Sequence, residues 1–242
     1  MYIQSVWKLR NGDNDNMKIL IIHGQNHKGS TYHIAHMLAE KIKGDIKEFF
    51  LPRDFGEFCV GCTKCFMESE KKCSHYEKLK PLTDAMDEAD VIILASPVYV
   101  YHVTGAMKTF LDHYGYRWMV HRPQESMFRK QGVCISTAAG AGMKPTNKDM
   151  ADSLFFWGVA KRYQYGVRVA AVNWNGVSEK KKCAIDKATS GIAKKIVNNS
   201  KHVKPGIKTR AMFWAMHFAQ RKGFNPCDAE YWKSKGWTGK KR

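Results

Sequence analysis

Apolar positions along the chain follow two rhythms. Ile19 to Ile22 and Val91 to Ala95 are unbroken apolar runs of strand length, the pattern of strands buried on both faces. Residues 46–51, 132–136 and 165–172 predict three more strands. Between them the apolar residues take helical spacing. Ile34, Ala35, Leu38, Ala39 and Ile42 mark a first helix that Gly44 stops. Leu79, Leu82, Ala85 and Met86 mark a second, ending near Glu88, and Met107, Phe110, Leu111 and Tyr114 a third. Met150, Leu154 and Trp157 mark a fourth, and residues 180–198 read as a Lys-rich surface helix. Strands alternating with helices predict a doubly wound α/β domain whose five-stranded, mostly parallel sheet is covered on both faces.

The ends depart from this pattern. Residues 1–16 show no periodicity and are expected to be an N-terminal extension to a domain over 17–200. Residues 201–242 form a basic, aromatic C-terminal extension. Within it, residues 211–218 are apolar nearly all round, so this helix needs a cover. Its own domain and a second subunit are equal candidates for that cover.

Composition narrows the class. Of 242 residues, 44% are hydrophobic, enough for a sizeable core and against wholesale disorder. No apolar run approaches the ~20 residues of a membrane helix. The first residues carry Lys8, Arg10, Asp13 and Asp15 without an apolar stretch, so no secretory signal is expected and a cytoplasmic location is. The net charge is +18, and residues 151–242 hold 20 basic against 5 acidic side chains. Such a segment attracts nucleic acid, acidic membrane surfaces or phosphorylated cofactors, or simply keeps a surface solvated. The charges are scattered and lack basic–aromatic alternation, which argues against nucleic acid.

Candidate chemistry lies at strand ends. After the first strand come Gly24, Gln25, Asn26, His27, Lys28, Gly29, Ser30 and Thr31. A helix start leaves N–H groups unpaired and favours an anion. The glycines permit close approach, Ser30 and Thr31 add hydroxyls, and Lys28 or His27 adds charge. An ordinary turn with Ser30 as N-cap is the plainer alternative. After the strand ending at Ala95 come Ser96, Pro97, Val98, Tyr99, Val100, Tyr101 and His102, with flat tyrosine faces for a planar ring. After the next strand come Thr137, Ala138, Ala139 and Gly140, small enough for backbone N–H groups to reach a ring edge. In open α/β sheets ligands bind beyond the carboxyl ends of the strands.

With these segments, together with residues 104–112 and His121, Arg122 and Pro123, the chain from Met17 to about Val172 resembles the flavodoxin-like NAD(P)H-dependent FMN reductases. That group includes the multimeric flavodoxins and iron–sulfur flavoproteins. Residues 228–237 resemble a tail seen in some members. The resemblance implies a flavodoxin-like fold and FMN, its phosphate near residues 25–31 and its ring between residues 97–102 and 137–140. It also implies a homo-oligomer, dimer or tetramer, that completes the site. Gln25, Asn26 and His27 stand where many members carry Ser-Pro-Arg, which changes the side chains at the phosphate but not the backbone cradle.

Cys59, Cys62, Cys65 and Cys73 lie within fifteen residues. Four thiolates at this spacing suit a [4Fe–4S] cluster, tetrahedral zinc, or free thiols and a reversible disulfide. The spacing resembles the cluster motif of the iron–sulfur flavoproteins. The expected activity is electron transfer from NAD(P)H through FMN to a flavin, a quinone or a similar small acceptor. The alternative is a flavodoxin-like carrier, with or without a cluster, that serves a redox protein. No side chain is expected to act as acid or base.

Overall fold

In a computed structural model, residues 16–239 are described; the expected extension over 1–16 lies outside them but for Asn16. Five strands, β1 (Met17–His23), β2 (Gly44–Phe50), β3 (Val91–Pro97), β4 (Gln131–Ala138) and β5 (Lys161–Arg168), form one sheet in the order β2-β1-β3-β4-β5. Every pairing is parallel, with Ile22 opposite Leu94 and Pro97 opposite Thr137. The helices are α1 (Ser30–Ile42), α2 (Lys64–Met67), α3 (Tyr76–Glu88), α4 (Gly105–Asp112), α5 (Met143–Phe156), α6 (Glu179–Asn199), α7 (Ile207–Arg221) and α8 (Pro226–Ser234). None is long and apolar enough to cross a membrane.

The alternation of side chains along each strand divides the core in two. Leu20, Ile22, Ile92, Leu94 and Cys134 face α3, α4 and α5. Ile19, Ile21, Val91, Ile93, Val133 and Ile135 face α1 and α6. This is why β1 and β3 read as unbroken apolar runs. The helix over 179–199 is only partly a surface helix, since Ile185, Thr189, Ala193 and Ile196 are buried.

Strand boundaries differ from the sequence expectation, most at β5 and β2. The last strand was expected over 165–172, but β5 pairs from Lys161 to Arg168. It is an edge strand in which Gln164, Gly166 and Arg168 are exposed and the other residues half-buried. The ladder stops because Ala170 takes a left-handed backbone, φ 52°, and turns the chain away. Helix α1 stops before Gly44 as expected, with Lys43, φ 61°, closing its last turn on Ala39 O, but β2 starts at Gly44, two residues ahead of the expected Ile46.

One face of the C-terminal helices packs on their own chain, while Phe218 of α7 stays 58% exposed. Phe213, Trp232 and Trp237 pack with Met119 and Phe128 in a third apolar cluster. Burying a large side chain is worth about 1.5–3 kcal/mol, so this cluster is a substantial anchor. Polar contacts converge on residues 120–123. Gln220 Nε2 donates to Val120 O at 2.8 Å, Trp232 Nε1 to His121 O at 2.5 Å and Tyr231 OH to Pro123 O at 2.7 Å.

Candidate functional site

Between β1 and β3 the order of connection reverses: β1 leads outward to β2, and β3 sits on its other side. The loops leaving β1 and β3 therefore diverge and open a crevice at the carboxyl edge. Gly24 begins the first loop, and its N–H donates to Ala95 O at 2.7 Å. Thr104 Oγ1 donates to Gly24 O at 2.6 Å, accepts from Met107 N–H at 3.1 Å and so caps α4. A Cβ on Gly24 would lie 2.9 Å from Thr104 Oγ1 and 3.1 Å from Ser96 Oγ. Only glycine lets these two loops approach so closely.

The N-cap of α1 is Gly29, not Ser30, which is the first helical residue. No side chain caps the helix and its first turn holds no acidic residue. Its orphan N–H groups and positive dipole end are left to whatever enters the crevice. Thr31 Oγ1 and Thr137 Oγ1 share a hydrogen bond of 2.6 Å that ties α1 to the end of β4.

Of the residues singled out from the sequence, Gln25, His27, Gly29, Ser30 and Thr31 line the cleft, as do Pro97, Val98 and Tyr99 and then Thr137, Ala138 and Ala139. Lys28, Val100, Tyr101, His102 and Gly140 do not line it. Lys28 Nζ instead lies over the Tyr32 ring, 5.2 Å from its centre. Val100 and Tyr101 form an exposed turn with φ 47° and 67°, closed by an antiparallel bridge between Tyr99 and His102. Helix α5 holds that turn: His102 Nδ1 lies 2.9 Å from Asp149 Oδ2, and Thr146 Oγ1 donates to Tyr101 O at 3.3 Å. Gly142 lies against the same turn at φ 97°, where a Cβ would lie 2.6 Å from Val98 Cγ1.

Sequence reading missed His23, Tyr32, Ala95, Val169, Ala171 and Val172 in the cleft wall. His23 ends β1 and Ala95 lies two residues before the end of β3, so position near a strand end alone could have flagged them. Tyr32 comes from the first helical turn and Val169 to Val172 from the bend after β5. Among the described residues, no acidic side chain lines the cleft. His23, 3% exposed, lies 2.8 Å from Glu48 Oε2, and His36 reaches the same oxygen at 2.8 Å. Burial lowers the His23 pKa despite that carboxylate. Burial alone would raise the Glu48 pKa, but its hydrogen bonds to His36 and His23 outweigh it and the net shift is downward.

None of the residues 52–75 of the cysteine loop lines the cleft. Cys59 and Cys62 are exposed, and Cys65 and Cys73 are half-buried. Burial, with the other three thiols nearby, pushes the Cys65 thiol up to about 11. The four sulfurs do not form a mutually close set; Cys73 groups instead with His75 and His113. A single tetrahedral ion on the four thiolates would need them about 3.8 Å apart, which this arrangement does not offer.

Known proteins resemble the chain in sequence and in fold. An iron–sulfur flavoprotein of Archaeoglobus fulgidus is 39% identical over 88 residues, 35% of this chain and 36% of that protein. An NADPH azoreductase of a Bacillus species is 30% identical over 130 residues, 52% of this chain and 61% of that protein. The chain thus spans less than two thirds of either relative. Among solved structures, an NADH:FMN oxidoreductase superposes with a TM-score of 0.55 at 18% identity, over 81% of this chain and 99% of that one. An FMN-dependent NADH-azoreductase of Bacillus anthracis gives 0.53 at 13% identity, over 73% and 99%. These likenesses concern the fold. Residues 17–169 match the family model of the NADPH-dependent FMN reductases, more than half of the chain, and the protein belongs to that family.

Proposed function

We propose that the protein is an FMN-dependent oxidoreductase that takes electrons from a nicotinamide cofactor and passes them to a small acceptor such as a flavin or quinone. One observation carries this reading. The uncapped, acid-free start of α1 opens onto the same cleft as Pro97, Val98 and Tyr99 and the small residues 137–139. That is a phosphate cradle beside a slot suited to a planar ring. Gly29, Ser30, Thr31 and Gln25 would hold the phosphate. Pro97 to Tyr99 and Thr137 to Ala139 would flank the ring. When bound, FMN supplies the hydride chemistry, and the protein supplies position and electrostatics.

The chain's own residues have defined tasks. Thr104 and Gly24 lock two of the three loops together. Thr31 and Thr137 fix the helix start against the third. Buried, neutral His23 closes the inner wall beside Glu48 without adding charge. The basic composition of residues 151–242 supports a preference for NADPH, whose extra phosphate it attracts; equal steady-state rates with NADH would refute that preference. A homo-oligomer belongs to this reading, supported by the exposed Tyr99, Val100 and Tyr101 beside the cleft, and sizing the protein in solution tests it.

The test is an absorption spectrum of the purified protein, followed by FMN titration and an assay of NAD(P)H oxidation. A flavin spectrum and FMN-dependent oxidation are expected. A colourless protein that FMN does not reconstitute overturns the reading. The cysteine loop and relatives named iron–sulfur flavoprotein favour a second reading, an electron carrier with a [4Fe–4S] cluster on Cys59, Cys62, Cys65 and Cys73. About four irons and four sulfides per chain would establish it.

A further inference from the structure

The start of α3 meets the end of α4 and brings together three ligand-type side chains, none of which lines the cleft. Cys73 follows the single 3-10 turn Glu70–Lys72, His75 is the N-cap of α3 and His113 is the C-cap of α4. The Cys73 sulfur and one nitrogen from each imidazole all lie within 4.8 Å of one another. His75 Nδ1 is 3.0 Å from His113 Nε2. The other His113 nitrogen, Nδ1, is 2.8 Å from Thr109 O. A carbonyl only accepts, so Nδ1 carries the hydrogen and Nε2 turns its lone pair toward Cys73 and His75. That is how a metal-ligating histidine is oriented by its outer partner. Phe55 meets the His113 ring edge-on at 4.9 Å, and His113 is only 5% exposed, so the ring is held in this pose.

We propose that Cys73, His75 and His113 bind a divalent transition metal of the zinc type, which staples the cysteine loop to α3 and α4. One thiolate and two imidazoles are a borderline-soft set suited to zinc. Bonds of about 2.0–2.3 Å at tetrahedral angles space donor atoms about 3.3–3.7 Å apart, so a small closing movement completes the site. Cys73 and His75 are half-buried, which leaves the fourth position to water. Binding releases the thiol proton, the His75 hydrogen shared with His113 moves from Nδ1 to the other ring nitrogen, and no electrons move. The site takes Cys73 away from the other three cysteines, so it competes with a four-cysteine cluster. It stands independently of the FMN reading.

The experiment is a titration of the metal-stripped full-length chain with cobalt(II), a coloured stand-in for zinc, followed by zinc. Uptake of about one cobalt per chain is expected, with a thiolate-to-cobalt band and four-coordinate visible bands that zinc abolishes. Cys73→Ser and His75→Gln should each weaken binding at least tenfold while far-UV dichroism stays unchanged. Both residues are half-exposed, so these variants avoid the folding risk of replacing buried His113. The Cys59→Ser/Cys62→Ser double variant should bind as the parent does. Absence of the cobalt spectrum in the parent would mean the histidines share only a hydrogen bond, and would overturn the site. Unchanged binding by His75→Gln, loss of binding in the Cys59/Cys62 variant, or iron and sulfide uptake that needs Cys59 would overturn it equally.

Discussion

Arg122 and Asp228, 106 residues apart in sequence, form a buried ion pair of 2.7 Å, with side chains 8% and 1% exposed. The other Asp228 oxygen lies 2.7 Å from His121 Nδ1. Arg122 also donates to Cys65 O and Phe66 O, and Asn225 Nδ2 to Phe66 O at 3.2 Å. One guanidinium therefore joins the C-terminal extension to α2 of the cysteine loop. The two outlying segments of the sequence resemblance, residues 121–123 and the tail 228–237, are a single physical unit.

Removing one partner from such a pair leaves a buried charge uncompensated and costs about 3–5 kcal/mol, whereas replacing both with apolar groups is often near neutral. Asp228→Asn is expected to lower the melting temperature sharply. Asp228→Leu with Arg122→Met should recover most of that loss. The double variant should still show faster proteolysis within residues 52–75, because Arg122 also holds Cys65 and Phe66. Equal loop protection in the double variant and the parent would show that Arg122 does not restrain the loop.

Gly24→Ala tests the junction of the cleft loops. The added Cβ meets Thr104 Oγ1 at 2.9 Å and Met107 Cβ at 3.2 Å, and neither is the far end of a flexible chain. Overpacking of this kind costs about 1–3 kcal/mol. The loops must part, so FMN affinity should fall by tenfold or more in a fluorescence titration, with only a moderate loss of thermal stability. Retained affinity would mean the junction does not shape the flavin site.

How much of this was legible in the sequence depended on burial. β1 and β3 carry side chains buried on both faces, so their apolar runs were unmistakable. β5 is an edge strand with alternating exposure, and its valines past Arg168 misled by continuing after the ladder stops. The three cleft loops could be found because strand ends are where such sheets bind ligands. Tyr32 and the bend at 169–172 could not, because they reach the cleft through the first turn of α1 and the turn at Ala170. The cysteines read as one group because spacing shows only neighbours along the chain. His113 joins Cys73 from 40 positions away, through packing that spacing does not record.

The thiols should separate by reactivity. The Cys65 thiol is pushed up to about 11 from 9.0, first by burial and then by its neighbouring thiols. That shift cuts its thiolate fraction about 100-fold. In the metal-free, reduced protein at pH 8, mass spectrometry should find the exposed Cys59, Cys62 and Cys183 alkylated first, with Cys65 lagging. Cys134, fully buried with its pKa pushed far upward, should stay unmodified until the protein unfolds. Early labelling of Cys65 would contradict the burial of that loop segment.

The trio of His23, Glu48 and His36 sets an expected acid limit. Burial depresses the His23 pKa below its ordinary 6.5. As pH falls through 6.5, the unfolded chain takes up a proton that the folded chain refuses. The unfolded state then binds more protons, so stability declines with falling pH. His23's contribution is whole above 6.5 and is lost as pH drops toward the depressed folded value. Glu48 acts in the same direction lower down, since its pKa is also depressed and its contribution fades below the ordinary 4.5. His113, depressed by burial, adds to the upper window. Denaturant unfolding measured from pH 7.5 to 5 should show stability falling, and His23→Gln should flatten that slope. Glutamine does not titrate, and its amide can still donate to Glu48. An equal slope in parent and variant would mean that His23 titrates in the folded protein as it does in the unfolded chain.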